Sequence, residues 1–522
     1  MDDKPLAVVK KYLELQQFDS AAFICERAYA QNKDQASLFY LATCYLAQGK
    51  TSRAYEILQK EATILNNSNK YMLAVCAIAK KRFTEAERIL LGDLFESQDL
   101  GYSKEALETI PKGAAGLLVL GDINRHLKRQ EKAIYFYSAT LERDPYLWSA
   151  HQRIYELGGE VRAANLPYSN TERDVFGKRH AVKHPSKFNL GSVFKSLSLA
   201  YSQLCKYECS KSLELLWELD MNQFNTSWVL EKVAVALFEK AQYEESRSTF
   251  KKLRFLEPSY IEGIDIYSTV LWHLKDDFSL SSLAHDLIKT HPAACQTWCV
   301  VGNCFSLQKE HENALVFFQR AIDINPLYAY AYTLSGHEYV SNEDFDKATQ
   351  FYRKAVSVDA RHYNAWYGLG TIYFRQEKIA IAKMHFAQAI RINPNSSILY
   401  CYLGMLLAQL HSPQNQAALE ILEKAKSLSP DNPQAQFQRA VILSRLNRHD
   451  EALSELLCVN DFVPREASVH FQIGKIYVAL NKPRSAWQRF NAAQDLDPKN
   501  SNVYKTHMDL LQDHFDKVET PV

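Results

Sequence analysis

Along most of this 522-residue chain, apolar residues return at the three- to four-residue spacing of a helix. The spacing fails between about Gly158 and Phe188, where Gly, Pro, Asn and Ser gather. A longer period lies over the short one. Prolines fall at 258, 292 and 326, then at 394, with Ala360 in the gap, then at 430, 464 and 498. The steps are 34 residues, except one of 36. Small residues run in phase at Ala314, Ala348, Ala382, Ala418, Ala452 and Ala486. So do bulky ones at Phe318, Tyr352, Phe386, Leu422, Leu456 and Phe490. A unit this long holds two short helices and a turn, with proline ending the second helix. The pattern predicts units at 227–260, 261–294, 295–328, 329–362, 363–396, 397–432, 433–466 and 467–500, and a degenerate one at 193–226. The unit at 397–432 has two extra residues near His411 to Asn415.

The run NAWYGLGTIYFRQEKIAIAKMHFAQAIRINP carries Trp366, Leu369, Gly370, Tyr373, Ala382, Phe386, Ala389 and Pro394. This is the tetratricopeptide pattern at each signature position. Gly370 and Ala382 are small where two antiparallel helices cross. Trp366, Tyr373 and Phe386 are expected to fill the space around that crossing. Weaker copies precede it, around Leu41, Ala42, Tyr45 and Ala54, then Leu73, Ala74 and Ala86, then Gly121, Ala133, Tyr137 and Pro145. No unit buries its apolar faces alone, so neighbours must stack. The expected fold is an all-α superhelical solenoid of two arrays, 1–157 and 189–500, joined by a linker over 158–188. A terminal helix over 501–522 would cap the second array and then fray.

Composition adds little and excludes much. Lys plus Arg is 61 and Asp plus Glu is 60, a formal charge of +1, without the basic surplus of a nucleic-acid binder. Gly (17) and Pro (16) are scarce, as suits a chain that is helical throughout. No membrane span and no signal peptide are expected. With no CxxC pair among ten cysteines, we expect a reducing intracellular compartment.

No motif implies catalysis, a cofactor or a metal. Gly49-Lys50-Thr51 would need a glycine five residues upstream of Gly49 to make a phosphate loop, and Cys44 stands there. His337-Glu338 lacks the second histidine of a zinc helix, since residue 341 is Ser. His180 and His184 have no cysteine partners, and Cys295, Cys299 and Cys304 are irregularly spaced for zinc. The three cysteines are expected on one face of a first helix. Lys178, Arg179, Lys183 and Lys187 read as a solvated linker rather than a nuclear-import signal.

Stacked helix pairs present a concave groove lined by their first helices. The second, fifth, ninth and twelfth positions of each unit should face it. These are Gln296, Cys299, Asn303 and Ser306, then Tyr330, Thr333, His337 and Val340 with Glu338 beside them, then Asn364, Tyr367, Thr371 and Phe374. Amides can bond a peptide backbone, Tyr367 and Phe374 offer an apolar wall, and Glu338 could pair with a basic side chain.

The runs AWYGLGTIYFRQEK and AYAYTLSGHEYV, with the N-terminal FDSAAFICERAYAQNKDQASLFYLATCYLAQGKTSRAYEIL, resemble the tetratricopeptide subunits of the anaphase-promoting complex, or cyclosome. The likeness is to the third subunit, which receives the co-activators. It implies a non-catalytic scaffold of a multisubunit ubiquitin ligase that serves cell-cycle-regulated ubiquitination and mitotic progression. It implies a homodimer formed through the N-terminal array. The C-terminal groove would hold the Ile-Arg tails of co-activators and of the small substrate-recognition subunit. Other tetratricopeptide subunits and small helical accessory subunits are implied partners, in nucleus and cytoplasm, with no nucleic acid and no membrane. Asn303, His337, Glu338, Asn364, Tyr367, Thr371 and Phe374 are the expected peptide-binding residues. The family usually carries a long insertion between its arrays, and here about 30 residues stand there. Two other classes compete. A co-chaperone clamp for acidic tails would put Lys and Arg on the first helices, and positions 299, 303, 333, 337, 367 and 371 carry none; another adaptor for C-terminal peptides is the further alternative. A glycosyltransferase would need a catalytic domain for which the period leaves no room.

Overall fold

The computed structural model describes residues 4–62, 64–96, 102, 104–162, 189–409, 415–430 and 432–518. Thirty α-helices and no strand occur among them. Most of the expected linker, including Lys178, Arg179, His180, Lys183, His184 and Lys187, lies outside the described residues, as do 410–414 of the 397–432 unit.

The chain divides into two compact units. The first comprises Met1–Cys205 with Glu214–Leu219, and the second Lys206–Leu213 with Asp220–Val522. The first is a stack of helix pairs: Lys4–Glu14 with Phe18–Asn32, Gln35–Ala47 with Thr51–Lys60, Asn67–Ala79 with Phe83–Leu91, and Ala114–His126 with Gln130–Arg143. Leu38, Tyr45, Leu58, Leu117 and Phe136 are buried in its core. The division falls later in the chain than residue 189. The helix Leu190–Cys205 packs on Trp148–Glu156, where the Tyr155 and Ser198 hydroxyls bond at 2.9 Å and Phe194 meets the Trp148 and His151 rings.

The second unit repeats the same element. Its pairs are Ser227–Glu239 with Tyr243–Leu256, Ile264–His273 with Asp277–Thr290, Cys295–Leu307 with His311–Ile324, Ala329–Ser341 with Phe345–Val358, and Tyr363–Arg375 with Ile379–Ile392. Ser397–Gln409 with Asn415–Leu428, Pro433–Arg445 with His449–Phe462, and Ala467–Ala479 with Pro483–Leu496 complete the stack. Ser501–Val518 then lays Met508 and Leu511 against the cluster of Ala486 and Phe490. The first helix begins at the first residue of nearly every unit read from the sequence. Ile264 starts three residues late, because Gly263 takes φ +71° just before it.

Three local devices set the 34-residue pattern. The first is the crossing. A Cβ on Gly370 would lie 2.6 Å from Phe386 Cε1, and Gly302 and Gly336 meet Phe318 and Tyr352 in the same way. The second concerns the fourth residue of the first helix. The indole N–H groups of Trp298 and Trp366 donate to the carbonyls of Pro292 and Ala360, at 2.9 and 3.0 Å. Tyr332 and Gln436 do the same to Pro326 and Pro430. Trp366 therefore ties down the turn between units, where the sequence suggested a residue packed around the crossing. The proline ends one helix and its carbonyl anchors the next.

The third device is the turn inside each unit, where one residue adopts a left-handed backbone: Lys275, Lys309, Glu343, Glu377, Asn447 and Asn481, with Gly49 in the first array. Lys309 N–H then donates to Ser306 O at 3.0 Å and Glu310 N–H to Phe305 O at 2.9 Å, which satisfies the helix end. A residue with a Cβ pays about 1 kcal/mol or more for this conformation, and glycine does not. Glu343→Gly should therefore raise stability by up to about 1 kcal/mol, less what glycine gains in the unfolded chain. Chemical denaturation of wild type and variant reads the difference. A lower midpoint in the variant would show that contacts of the Glu343 side chain outweigh its backbone strain.

Candidate peptide-binding groove

On the first helices of the second unit, residues near the ninth and twelfth positions of each pair bond from repeat to repeat. Asn303 donates to the Ser268 hydroxyl at 2.8 Å and to Thr269 Oγ1 at 3.3 Å. The Thr269 and Tyr330 hydroxyls bond at 2.5 Å. Trp272 Nε1 donates to Ser306 Oγ at 3.2 Å, and Ser306 Oγ to Glu338 Oε1 at 2.7 Å. Glu338 Oε2 lies 2.6 Å from His311 Nδ1.

The expected site residues thus divide. Asn303 and Glu338 are buried, at 4% and 5% exposure, and their polar atoms are engaged between repeats. Thr371 donates to Gly368 O in its own helix at 2.8 Å. Cys299 and Thr333 are fully buried, and burial pushes the Cys299 thiol well up. The Cys295 and Cys304 thiols are buried beside it in the same helix.

His337, Asn364, Tyr367 and Phe374 remain accessible. His337 is open to water but stands between the groove walls, with Nδ1 2.9 Å from the Tyr352 hydroxyl. Crowding by the surrounding protein, then the nearby His362 and His273 imidazoles, lower its pKa below the usual imidazole value. It is neutral near pH 7, a hydrogen-bonding group and not a cation. Asn364 is half-buried and its amide has no partner among the described residues. Tyr367 and Phe374 meet edge-on at Tyr402, with centroids 5.3 and 6.3 Å away, which makes the apolar wall.

The acidic character of the groove lies one and two repeats before residue 295. Glu231 and Asp265 occupy the fifth position of units 227–260 and 261–294 and are buried. Desolvation raises both carboxyls above their ordinary range, and the nearby Asp265 charge raises Glu231 further. Glu231 pairs with Lys232 Nζ at 2.7 Å. Asp265 accepts from the Tyr328 hydroxyl and stands in no ion pair among the described residues. Gly263 is required here: its φ is positive, and a Cβ would lie 2.9 Å from Glu231 Cγ. The same fifth-position count, carried upstream, locates both acids in the sequence.

Comparison with known proteins gives the lineage. Residues 14–92 match the family described as anaphase-promoting complex, cyclosome, subunit 3, and 296–326, 329–362 and 363–396 match the tetratricopeptide repeat. The chain is 39% identical over 359 residues to "Anaphase-promoting complex subunit 3" of Schizosaccharomyces pombe, covering 69% of this chain and 52% of the relative. The chain is thus similar to the subunit 3 family, by the family's own model over residues 14–92 and by a named relative over 69% of its length. It is also 46% identical over 297 residues to "Cell division cycle protein 27 homolog B" of Arabidopsis thaliana, 57% of this chain and 40% of that one. With the Homo sapiens homologue it shares 44% over 137 residues, 26% and 17% of the two chains. The chain spans about half the length, or less, of these subunit 3 relatives. The crystal structure of the "APC/C hetero-tetramer Cut9-Hcn1" covers 98% of this chain and 96% of its own with a TM-score of 0.72; at 17% identity it supports the tetratricopeptide fold alone.

Proposed function

We propose that this chain is a non-catalytic scaffold subunit of an anaphase-promoting complex, the multisubunit ubiquitin ligase, and that its concave groove holds the Ile-Arg C-terminal tails of co-activators and of the substrate-recognition subunit. The observation that carries the reading is the pair of buried fifth-position carboxyls, Glu231 and Asp265, in a groove that also offers an aromatic wall and an unpartnered amide. A guanidinium answers the first, an isoleucine side chain the second, and a terminal carboxylate the amide N–H groups of Asn364. Glu338, expected to meet the arginine, serves better as the anchor of Ser306 and His311. A clamp for acidic tails is disfavoured by the same carboxyls. Exposed Leu15 and Phe23 in the first unit support self-association through the N-terminal array. Sister tetratricopeptide subunits and small helical subunits are proposed neighbours, in nucleus and cytoplasm. Among the described residues no helix is long and apolar enough to cross a membrane.

The test is fluorescence-anisotropy titration of the full chain with a labelled peptide ending in Ile-Arg. Asn364→Ala and Tyr367→Ala should each weaken binding several-fold, and amidating the peptide's C-terminus should do the same. Equal affinities for all of these, with the fold intact, would place the tail elsewhere.

A further inference from the structure

In a solenoid each repeat touches its neighbours, and the groove bonds described above span one or two units. A second set in the C-terminal unit reaches much further. Tyr363 donates its hydroxyl to Glu239 Oε2 at 2.8 Å, across 124 residues of sequence. Asn395 Nδ2 donates to the Tyr207 carbonyl at 3.0 Å, across 188 residues. The Tyr207 and Tyr363 rings meet edge-to-face, with centroids 5.1 Å apart at 85°. Asn393, almost fully buried, lies beside the Tyr363 hydroxyl. Tyr207 has a left-handed backbone, φ 60°, which holds its carbonyl at the tip of a turn.

We propose that Tyr207, Glu239, Tyr363 and Asn395 form a latch that closes one turn of the C-terminal superhelix on itself, and that latch closure and ligand occupancy of the concave groove are coupled. The coupling rests on the groove reading above, whereas the latch itself does not. Beside the latch the superhelical turns stand apart around a cavity of about 790 Å³, lined among others by Lys211, Gln242, Ser396 and Asn432. The closure contacts given above, two hydrogen bonds and one ring pair, are side-chain and loop contacts that can open while every repeat stays folded. Its place also ties it to the groove. Glu239 ends the helix that carries Glu231, and Tyr363 starts the helix that carries Asn364, Tyr367 and Phe374. Opening the latch moves these two walls apart. Glu239, half-buried, accepts from the phenol, and partial loss of solvent raises its carboxyl above the usual range, so a neutral amide in its place can still accept the bond.

Hydrogen–deuterium exchange of the full chain tests the latch without any ligand. Tyr363→Phe with Asn395→Ala should speed exchange in 206–211 and 393–398 at least tenfold, and leave the Ala467–Ala479 and Pro483–Leu496 helices unchanged. Asn395 is exposed, so Asn395→Ala alone, which cannot unmake the core, should give an intermediate increase. Glu239→Gln should exchange like wild type. Unaltered exchange in the Asn395 and double variants overturns the latch. The coupling is read separately: the Ile-Arg peptide should dissociate from the double variant at least fivefold faster than from wild type. Faster exchange with an unchanged dissociation rate overturns the coupling and keeps the latch. A wild type that binds no peptide at all overturns the groove reading, and the coupling with it, while the exchange result stands.

Discussion

Gly370→Leu is expected to lower the unfolding midpoint of the chain more than any exposed substitution in the same repeat. A Cβ at this position already falls 2.6 Å from Phe386 Cε1 and 2.8 Å from Cδ1. Phe386 is fully buried and cannot swing aside into water. The helices Tyr363–Arg375 and Ile379–Ile392 must therefore separate or the ring must leave its rotamer. Overpacking of this kind costs about 1–3 kcal/mol and occasionally more. Leucine adds three further carbons beyond the Cβ, so the upper end is expected. Because a repeat couples to both neighbours, the loss should spread to units 329–362 and 397–432. Thermal unfolding gives the midpoint, and hydrogen exchange gives the spread. Adding Phe386→Leu to Gly370→Leu should recover part of the loss by making room. An unchanged midpoint for Gly370→Leu would show that the two helices do not cross at this residue.

Glu231→Gln with Asp265→Asn should weaken binding of an Ile-Arg peptide at least tenfold. Removing one partner of a buried, hydrogen-bonded charge pair costs about 2–5 kcal/mol, and tenfold corresponds to about 1.4 kcal/mol. We place the effect near the lower end because a groove keeps some water. The sign in pH follows from the shifts. Both carboxyls are raised above their ordinary range by burial, so the empty groove retains protons that a guanidinium must displace. Affinity should climb as pH rises from about 4 through the raised values, with protons released on binding, and the double variant should lose that dependence. Calorimetry in two buffers of different ionisation enthalpy measures the protons. Equal affinity and equal proton release in wild type and variant would assign the arginine to another part of the superhelix.

The repeat was legible because it is enforced locally. Gly370 opposite Phe386, Trp366 reaching the Ala360 carbonyl, and proline at a helix end each act within one unit or across one turn. A 34-residue period therefore records them at fixed offsets. The left-handed turn residues were not legible, since Lys309, Glu343 and Asn447 carry no glycine signature; the bonds that close the helix end impose their backbone. The groove was half legible. Counting first-helix positions placed Asn364, Tyr367 and Phe374 on an accessible face. It could not tell that Asn303 and Glu338 are consumed by Ser268, Ser306 and His311, because those partners lie on neighbouring repeats or across a turn and periodicity says nothing of side-chain pairing.

Sequence alone determined the helical class, the unit length, the small and large residues at each crossing, and the family likeness. All of these follow from contacts between residues close in the chain. Only the tertiary structure decided where the array divides into compact units, that Glu231 pairs with Lys232 while Asp265 stands in no ion pair among the described residues, and that Tyr363 meets Glu239 across 124 residues. Those outcomes depend on the small rotation from each repeat to the next, summed over many repeats. No single unit encodes that sum, so a superhelix can return to touch itself without leaving a mark in its period.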